Sequence, residues 1–234
     1  MILVSQQPLA LGGWLGSINK IAQADVFVIL DTVQYVPKSF NNRNKIRTKD
    51  GWQWLTVPVL SKGYLDKQFL DIEIDNSTDW RRKHLRTIEL AYSKAKYFDD
   101  YYPKLEQIYE WKWSHLTILN ETLFRWSLTQ LGITLRIESA QKLMLEGVGS
   151  DRVIDMCKKI PGIDIFLVGA GAEPYTDVEG LKAVGVETVF QGYNHPVYEQ
   201  CYSGFESGMC ILDLLFNEGP NSLKILRGEM QLSQ

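Results

Sequence analysis

Apolar and polar positions change rhythm several times along this chain, and each change marks an element. Residues 2–5 (ILVS) form a short apolar run suited to a buried strand. After Gly12-Gly13, the residues Trp14, Leu15, Ile18 and Ile21 recur at helical spacing. Residues 26–30 (VFVIL) are a continuous, largely β-branched run of the kind covered on both faces of a parallel sheet. Strand, helix and strand within thirty residues read as a βαβ unit with a right-handed crossover. Residues 53–59 (QWLTVPV) and 68–74 (QFLDIEI) read as further strands, the first pushed toward an edge by Pro58. Lys49-Asp50-Gly51 supplies the turn of a local antiparallel ribbon. The middle is helical. Asp79 caps a helix reaching Ala95, with Leu85, Ile88, Tyr92 and Ala95 on one face, and a second helix spans residues 98–113. A third covers residues 115–130 and stops at Gly132. Alternation then returns: strand 134–137, helix 150–160 stopped by Pro161-Gly162, strand 163–168, helix 178–184, strand 187–190 and a closing helix 209–216. The pattern predicts an α/β fold, a mainly parallel Rossmann-like sheet with flanking helices. It is read as a single domain over residues 1–234, with 39–75 an inserted β-ribbon and 79–131 a central helical block.

Composition narrows the partners. With 45% apolar and 23% charged residues the chain is an ordinary soluble globular sequence. Its net charge of −3 argues against a nucleic-acid partner, which calls for a basic domain. Seven Trp and eleven Tyr are enough to build both a core and a ligand-stacking surface. Cys157, Cys201 and Cys210 make neither a disulfide framework nor a metal-ligand spacing, so no metal is assigned. There is no basic leader with a cleavage site and no apolar run of 18 residues. The expectation is a cytoplasmic protein without membrane insertion.

Two stretches carry the candidate chemistry. Residues 6–16 (QQPLALGGWLG) read as a strand end breaking into a glycine turn that opens a helix, which leaves backbone N–H groups at the mouth of a site. Residues 39–47 (SFNNRNKIR) set Arg43, Lys45 and Arg47 at alternate positions among Asn41, Asn42 and Asn44, so an extended segment sends the three cations to one face. Arg offers a planar fork for phosphate oxygens and Lys a point charge. Together they predict a cleft for a phosphate-bearing small molecule, with Gly12, Gly13, Asn42, Arg43, Lys45 and Arg47 around the phosphate. Plainer readings stand beside these: a tight turn and a solvated cationic face. Gln6 and Gln7 are amides able to orient a ligand. Asp31 ends the second strand, where a carboxylate binds a ribose, a sugar hydroxyl, an amine or a metal with phosphate, or else caps a helix. Tyr35 offers a ring for stacking. His195, in GYNHPVYEQ with Tyr198 close by, is either a general base for an amine or hydroxyl or the structural histidine of an Asn-His-Pro turn. His84 and His115 fall on helices without matching partners, and the zinc-hydrolase and serine-hydrolase motifs are missing.

The stretches QQPLALGGWLGSINKIAQADVFVILDTVQY, SFNNRNKIR with WQWLTVPV, AYSKAKYF, YNHPVYEQ and ILDLLFNEGP occur in this order over nearly the whole chain. In that combination the chain resembles the WbqC-like protein family. The resemblance implies a place in bacterial surface-polysaccharide (O-antigen) biosynthesis, beside enzymes that make amino sugars. Where that family usually carries His-Gln-Pro, this chain has Gln6-Gln7-Pro8, and Ala10 stands in place of an aromatic residue. The opening strand, turn and helix are also similar, more distantly, to the nucleotidylyltransferase and pantothenate synthetase superfamily, though its His-x-Gly-His motif is absent here. One class in that superfamily joins a carboxylate to an amine after activation by ATP. The likenesses thus imply a transferase acting on a nucleotide-linked amino sugar, by N-acylation or aminoacylation, with ATP as the candidate cosubstrate. His195 would take a proton from the attacking amine, Asp31 would be the second catalytic candidate, and Tyr35 and Tyr198 would contact sugar or nucleoside. The alternative is a non-catalytic nucleotide or sugar-phosphate binding protein of the same pathway. A homodimer is the candidate assembly.

Overall fold

The computed structural model describes residues 1–60 and 62–229. The strands are β1 (Ile2–Gln6), β2 (Val26–Ile29), β3 (Arg43–Thr48), β4 (Gly51–Thr56), β5 (Arg136–Ser139), β6 (Ile165–Gly169) and β7 (Glu187–Gln191). The helices are α1 (Leu15–Ile21), α2 (Trp80–Tyr92), α3 (Phe98–Glu110), α4 (Leu116–Leu131), α5 (Ser150–Lys159), α6 (Val178–Ala183), α7 (Ile211–Glu218) and α8 (Ser222–Leu226). They fall into two compact units. The first comprises Met1–Gln7, Asn19–Val33 and Thr134–Asn194; the second comprises Pro8–Ile18, Gln34–Ile133 and the described residues from His195 onward.

The first unit is a five-stranded sheet in the order β5-β2-β1-β6-β7, every neighbouring pair parallel. All four residues of β2 are buried, as a continuous apolar run requires when a strand is covered on both faces. Leu3, Val26, Val28, Phe166 and Val168 of the sheet pack with Met156 and Ile160 at α5 and Leu181 of α6. Counted within the unit the strand order is 3-2-1-4-5, that of the doubly wound nucleotide-binding sheets, with its reversal between β1 and β6. The expected α/β class with a mainly parallel sheet is therefore what the chain forms.

The second unit joins the antiparallel hairpin β3–β4 to the helices α2, α3, α4 and α7. The bend after β1 is a single 3₁₀ turn, Ala10–Gly12, packed on α4. Gly12 has a φ of +77°, and a Cβ there would overlap Ser127 Oγ of α4, so the close approach needs glycine. Gly132 ends α4 at a φ of +68° and donates its N–H back to Leu128 and Thr129, the expected cap. One expected strand is not there. Residues 68–74 form a 3₁₀ turn, Phe69–Asp71, followed by isolated bridges from Ile74 to Val59 and from Glu73 to His115. Phe69 and Ile72 are both fully buried, and their spacing of three suits a tight helical turn better than an alternating strand.

A candidate ligand-binding face on the hairpin

The hairpin register sets Lys45 opposite Trp54 and Arg47 opposite Trp52. Residues facing each other across an antiparallel pair share a face, so the cations of β3 and the indoles of β4 lie on one side. The Arg43 guanidinium lies 4.2 Å from the Trp54 ring centroid, and the Lys45 ammonium 3.8 Å from that of Trp52. Trp52 meets Trp54 edge-on at 5.7 Å, Trp54 meets Phe40 at 5.6 Å, and Phe40 approaches Trp14 at 6.3 Å. This is a row of four aromatic rings carrying two cations. Trp52 is 42% and Phe40 38% exposed, more than core rings allow. Neither Arg43 nor Lys45 belongs to an ion pair among the described residues. Such a surface offers ring faces to a base or to the C–H face of a sugar, and charge to a phosphate.

The asparagines beside the cations do a different task. Asn44 donates its amide to Ala10 O at 3.1 Å, Asn41 to Pro8 O at 2.8 Å and Asn42 to Val57 O at 3.2 Å. All three are buried, and buried amides need such partners. The alternation that aligns the cations sends Asn44 to the opposite face, onto the glycine bend. Gly12 and Gly13 are themselves buried, the N–H of Gly13 closes onto Ala10 O, and Gly13 O accepts from Ile211 N. The bend therefore supports the hairpin from behind, and only Trp14 carries on from it to the aromatic row.

Arg47 parts company with its two neighbours. It is buried, and its guanidinium donates to Thr48 O at 2.6 Å, Gly51 O at 2.7 Å and Ser203 O at 2.8 Å, clamping the hairpin turn. Tyr35 is buried in a ring cluster with Phe69 and Tyr64, and burial pushes its hydroxyl up to about 12. His195 accepts the Gly208 N–H at Nε2, 3.0 Å away, while Nδ1 lies 2.8 Å from Pro196 O. Those partners assign the neutral tautomer with the proton on Nδ1, and burial lowers the pKa. The lone pair a general base would use already holds a backbone N–H. In the first unit, Gln6 and Gln7 lie at the carboxyl end of β1. Asp31, just beyond β2, is buried and accepts the Gln141 N–H at 3.0 Å. That unit also holds a cavity of about 400 Å³ lined by Val178, Lys182, Gly185, Val186, Glu187 and Thr188. It sits at the amino end of β7, opposite the end where such sheets take ligands.

The group that the sequence reading missed lies behind the hairpin. Asp213 of α7 is wholly buried; its Oδ1 accepts the Tyr92 hydroxyl at 2.9 Å, and its Oδ2 accepts the Tyr198 hydroxyl at 2.6 Å and the Gln200 amide at 2.8 Å. Burial pushes its pKa up while the three hydrogen bonds hold it back. The Tyr92 oxygen in turn accepts the backbone N–H of Arg47 at 2.8 Å. One carboxylate inside the apolar run ILDLLF was the available signal, since a charge there must find donors. Among the described residues no group of three or more His, Cys, Asp or Glu side chains could hold a metal ion, and no helix is long and apolar enough to cross a membrane.

Comparison with known proteins adds a family and one relative. The profile of the WbqC-like protein family matches residues 8–225. The uncharacterized protein Rv1507c of Mycobacterium tuberculosis is 33% identical over 216 residues, covering 92% of this chain and 93% of that protein. No solved structure matches the chain.

Proposed function

For this chain, which belongs to the WbqC-like protein family, we propose that the hairpin face binds a phosphate-bearing amino sugar, such as a nucleotide-linked one, of bacterial surface-polysaccharide (O-antigen) biosynthesis. One observation carries the reading: Arg43 and Lys45, outside any ion pair among the described residues, lie 4.2 Å and 3.8 Å from the rings of the partly exposed Trp54 and Trp52. Sugars stack on indole faces through their C–H groups, and phosphates pair with cations that no carboxylate has neutralised. Arg47 contributes by holding the hairpin turn.

A second reading, in which the chain also transfers an acyl or aminoacyl group from an ATP-activated acid to that sugar, draws on the first unit. Its strand order reverses between β1 and β6, the usual nucleotide crevice of such sheets, and Gln6-Gln7 and Gly169-Ala170-Gly171 stand at the carboxyl ends of those two strands. Positioning and charge stabilisation would carry such a reaction, because the His195 lone pair is already engaged.

Isothermal titration with UDP-, dTDP- and GDP-linked amino sugars and with inorganic phosphate tests the binding site. We expect micromolar affinity for at least one nucleotide sugar, weakened about tenfold or more by Arg43→Ala and by Trp54→Ala, as loss of a charged contact or stacked ring implies. No heat from the whole panel, or equal affinity in both variants, would remove the reading. Mass spectrometry of the bound amino sugar incubated with ATP and carboxylic acids tests the transfer; an unmodified sugar throughout leaves binding alone.

A further inference from the structure

We infer that Tyr92 and Asp213 are positioning residues for the hairpin face, setting where Arg43 and Lys45 stand. The inference deepens the binding reading above and rests on it. It starts from the ribbon's free edge. In an antiparallel pair alternate residues bond to the partner strand, and the residues between them turn their N–H and C=O groups outward. Asn42 O accepts the Val57 N–H, so the even positions of β3 face β4. The odd positions, which are the three cations, therefore present their backbone groups to the open edge. An isolated two-stranded ribbon is marginal in water, and what fills this edge decides how firmly it stands.

Two groups fill it. The N–H of Cys210, which caps α7, donates to Lys45 O at 2.9 Å. The N–H of Arg47 donates to the Tyr92 hydroxyl at 2.8 Å, and that hydroxyl in turn donates to Asp213 Oδ1 at 2.9 Å. Both anchors begin on one stretch of chain, residues 210–213. The donors around Asp213 have their directions imposed on them. Gln200 is keyed by the backbone of Glu206, whose N–H donates to its Oε1 at 2.9 Å and whose carbonyl accepts from its Nε2 at 3.0 Å, so only Nε2 can face Asp213. Tyr92 already accepts from Arg47, so its proton must point to the carboxylate. Asp213 is thus required as an acceptor on both oxygens. An amide at this position would set an NH₂ group against one of these donors.

The two tyrosines provide the test. Tyr92→Phe and Tyr198→Phe each delete one hydroxyl bonded to the same buried carboxylate, but only the Tyr92 hydroxyl also reaches β3. Amide hydrogen exchange at Arg47 and the indole N–H resonances of Trp52 and Trp54 are followed by NMR in both variants without ligand. Nucleotide-sugar affinity is then titrated well below each melting temperature. We expect Tyr92→Phe to speed Arg47 exchange about tenfold or more, to move both indole signals and to weaken binding about tenfold. Tyr198→Phe should lower the melting temperature and leave Arg47 exchange and both indole signals near wild type, because its hydroxyl reaches Asp213 and not β3. Unchanged exchange and indole signals in Tyr92→Phe would overturn the inference whatever the ligand does, as would equal changes in both variants. Should the wild type bind no nucleotide sugar while the Tyr92→Phe indoles still move, the binding proposal falls and the positioning stands.

Discussion

His84 shows how one side chain can set the acid limit of the fold. Its ring is buried on α2, with Nε2 3.0 Å from Thr56 O, Nδ1 3.3 Å from the Tyr109 hydroxyl and Trp80 edge-on at 5.2 Å. Burial lowers its pKa to about 4. The unfolded chain takes up a proton near pH 6.5 and the folded chain near 4, so this contribution to stability is complete above pH 6.5 and is lost as the pH falls through that window. The loss reaches roughly 3 kcal/mol. Urea midpoints of the wild type and His84→Gln between pH 7 and pH 4 should converge as the pH falls, the wild type alone losing this increment; parallel curves would refute it. His195 and Arg47 illustrate what residue type leaves undetermined. The sequence marks a histidine in a polar turn and three cations on one strand. Where a lone pair goes, or which guanidinium meets three carbonyls, depends on Gly208 and Ser203, far away in chain or turn. Arg43 and Lys45 were legible as a cationic pair because period-two alternation needs only local geometry.

Elements were more legible than sites, and where they failed the cause was competing local geometry. The runs ILVS and VFVI, and the glycine ending α4, each carry a signal within a few residues, and each formed as expected. Residues 68–74 carried two signals: Ile72 and Ile74 alternate, while Phe69 and Ile72 are three apart, and the buried phenylalanine decided for the turn. The sequence offers the glycine bend as a phosphate-facing turn or a tight turn before a helix, whereas Gly12 serves close packing on α4. That difference can be measured. Gly132→Ala meets open space and carries only the left-handed penalty, about 1 kcal/mol. Gly12→Ala carries that penalty and also drives a methyl into Ser127 Oγ, whose side chain is fixed by its bond to Leu123 O at 2.9 Å. We expect it to cost about 2 kcal/mol more than Gly132→Ala, in the range of overpacked cores. Adding Ser127→Ala should recover part of the loss, a coupling that a double-mutant cycle reads directly. Strict additivity would show that the bend does not lean on α4.

At the scale of the whole molecule, connectivity is what the sequence conceals and what governs unfolding. The 3-2-1-4-5 order requires β2 to pair with β5, Val26 opposite Arg136, and no local pattern announces a pairing 110 positions away. The chain passes between its units after Gln7, Ile18, Val33, Ile133 and Asn194, so neither unit can be cut out at a single point. Closing either one constrains the ends of segments belonging to the other, and loop-closure entropy then links their folding. All seven tryptophans lie in the second unit, which makes indole fluorescence a probe of that unit alone, while far-UV circular dichroism reports on both. We expect the two probes to give coincident urea transitions despite the separate cores. A nucleotide sugar at a hundred times its dissociation constant should raise both midpoints together, by the equivalent of about 2.7 kcal/mol. If fluorescence and dichroism separate, and the ligand moves only the fluorescence transition, the interleaved segments do not couple the units. The hairpin unit would then be a ligand-binding fold that keeps its own stability.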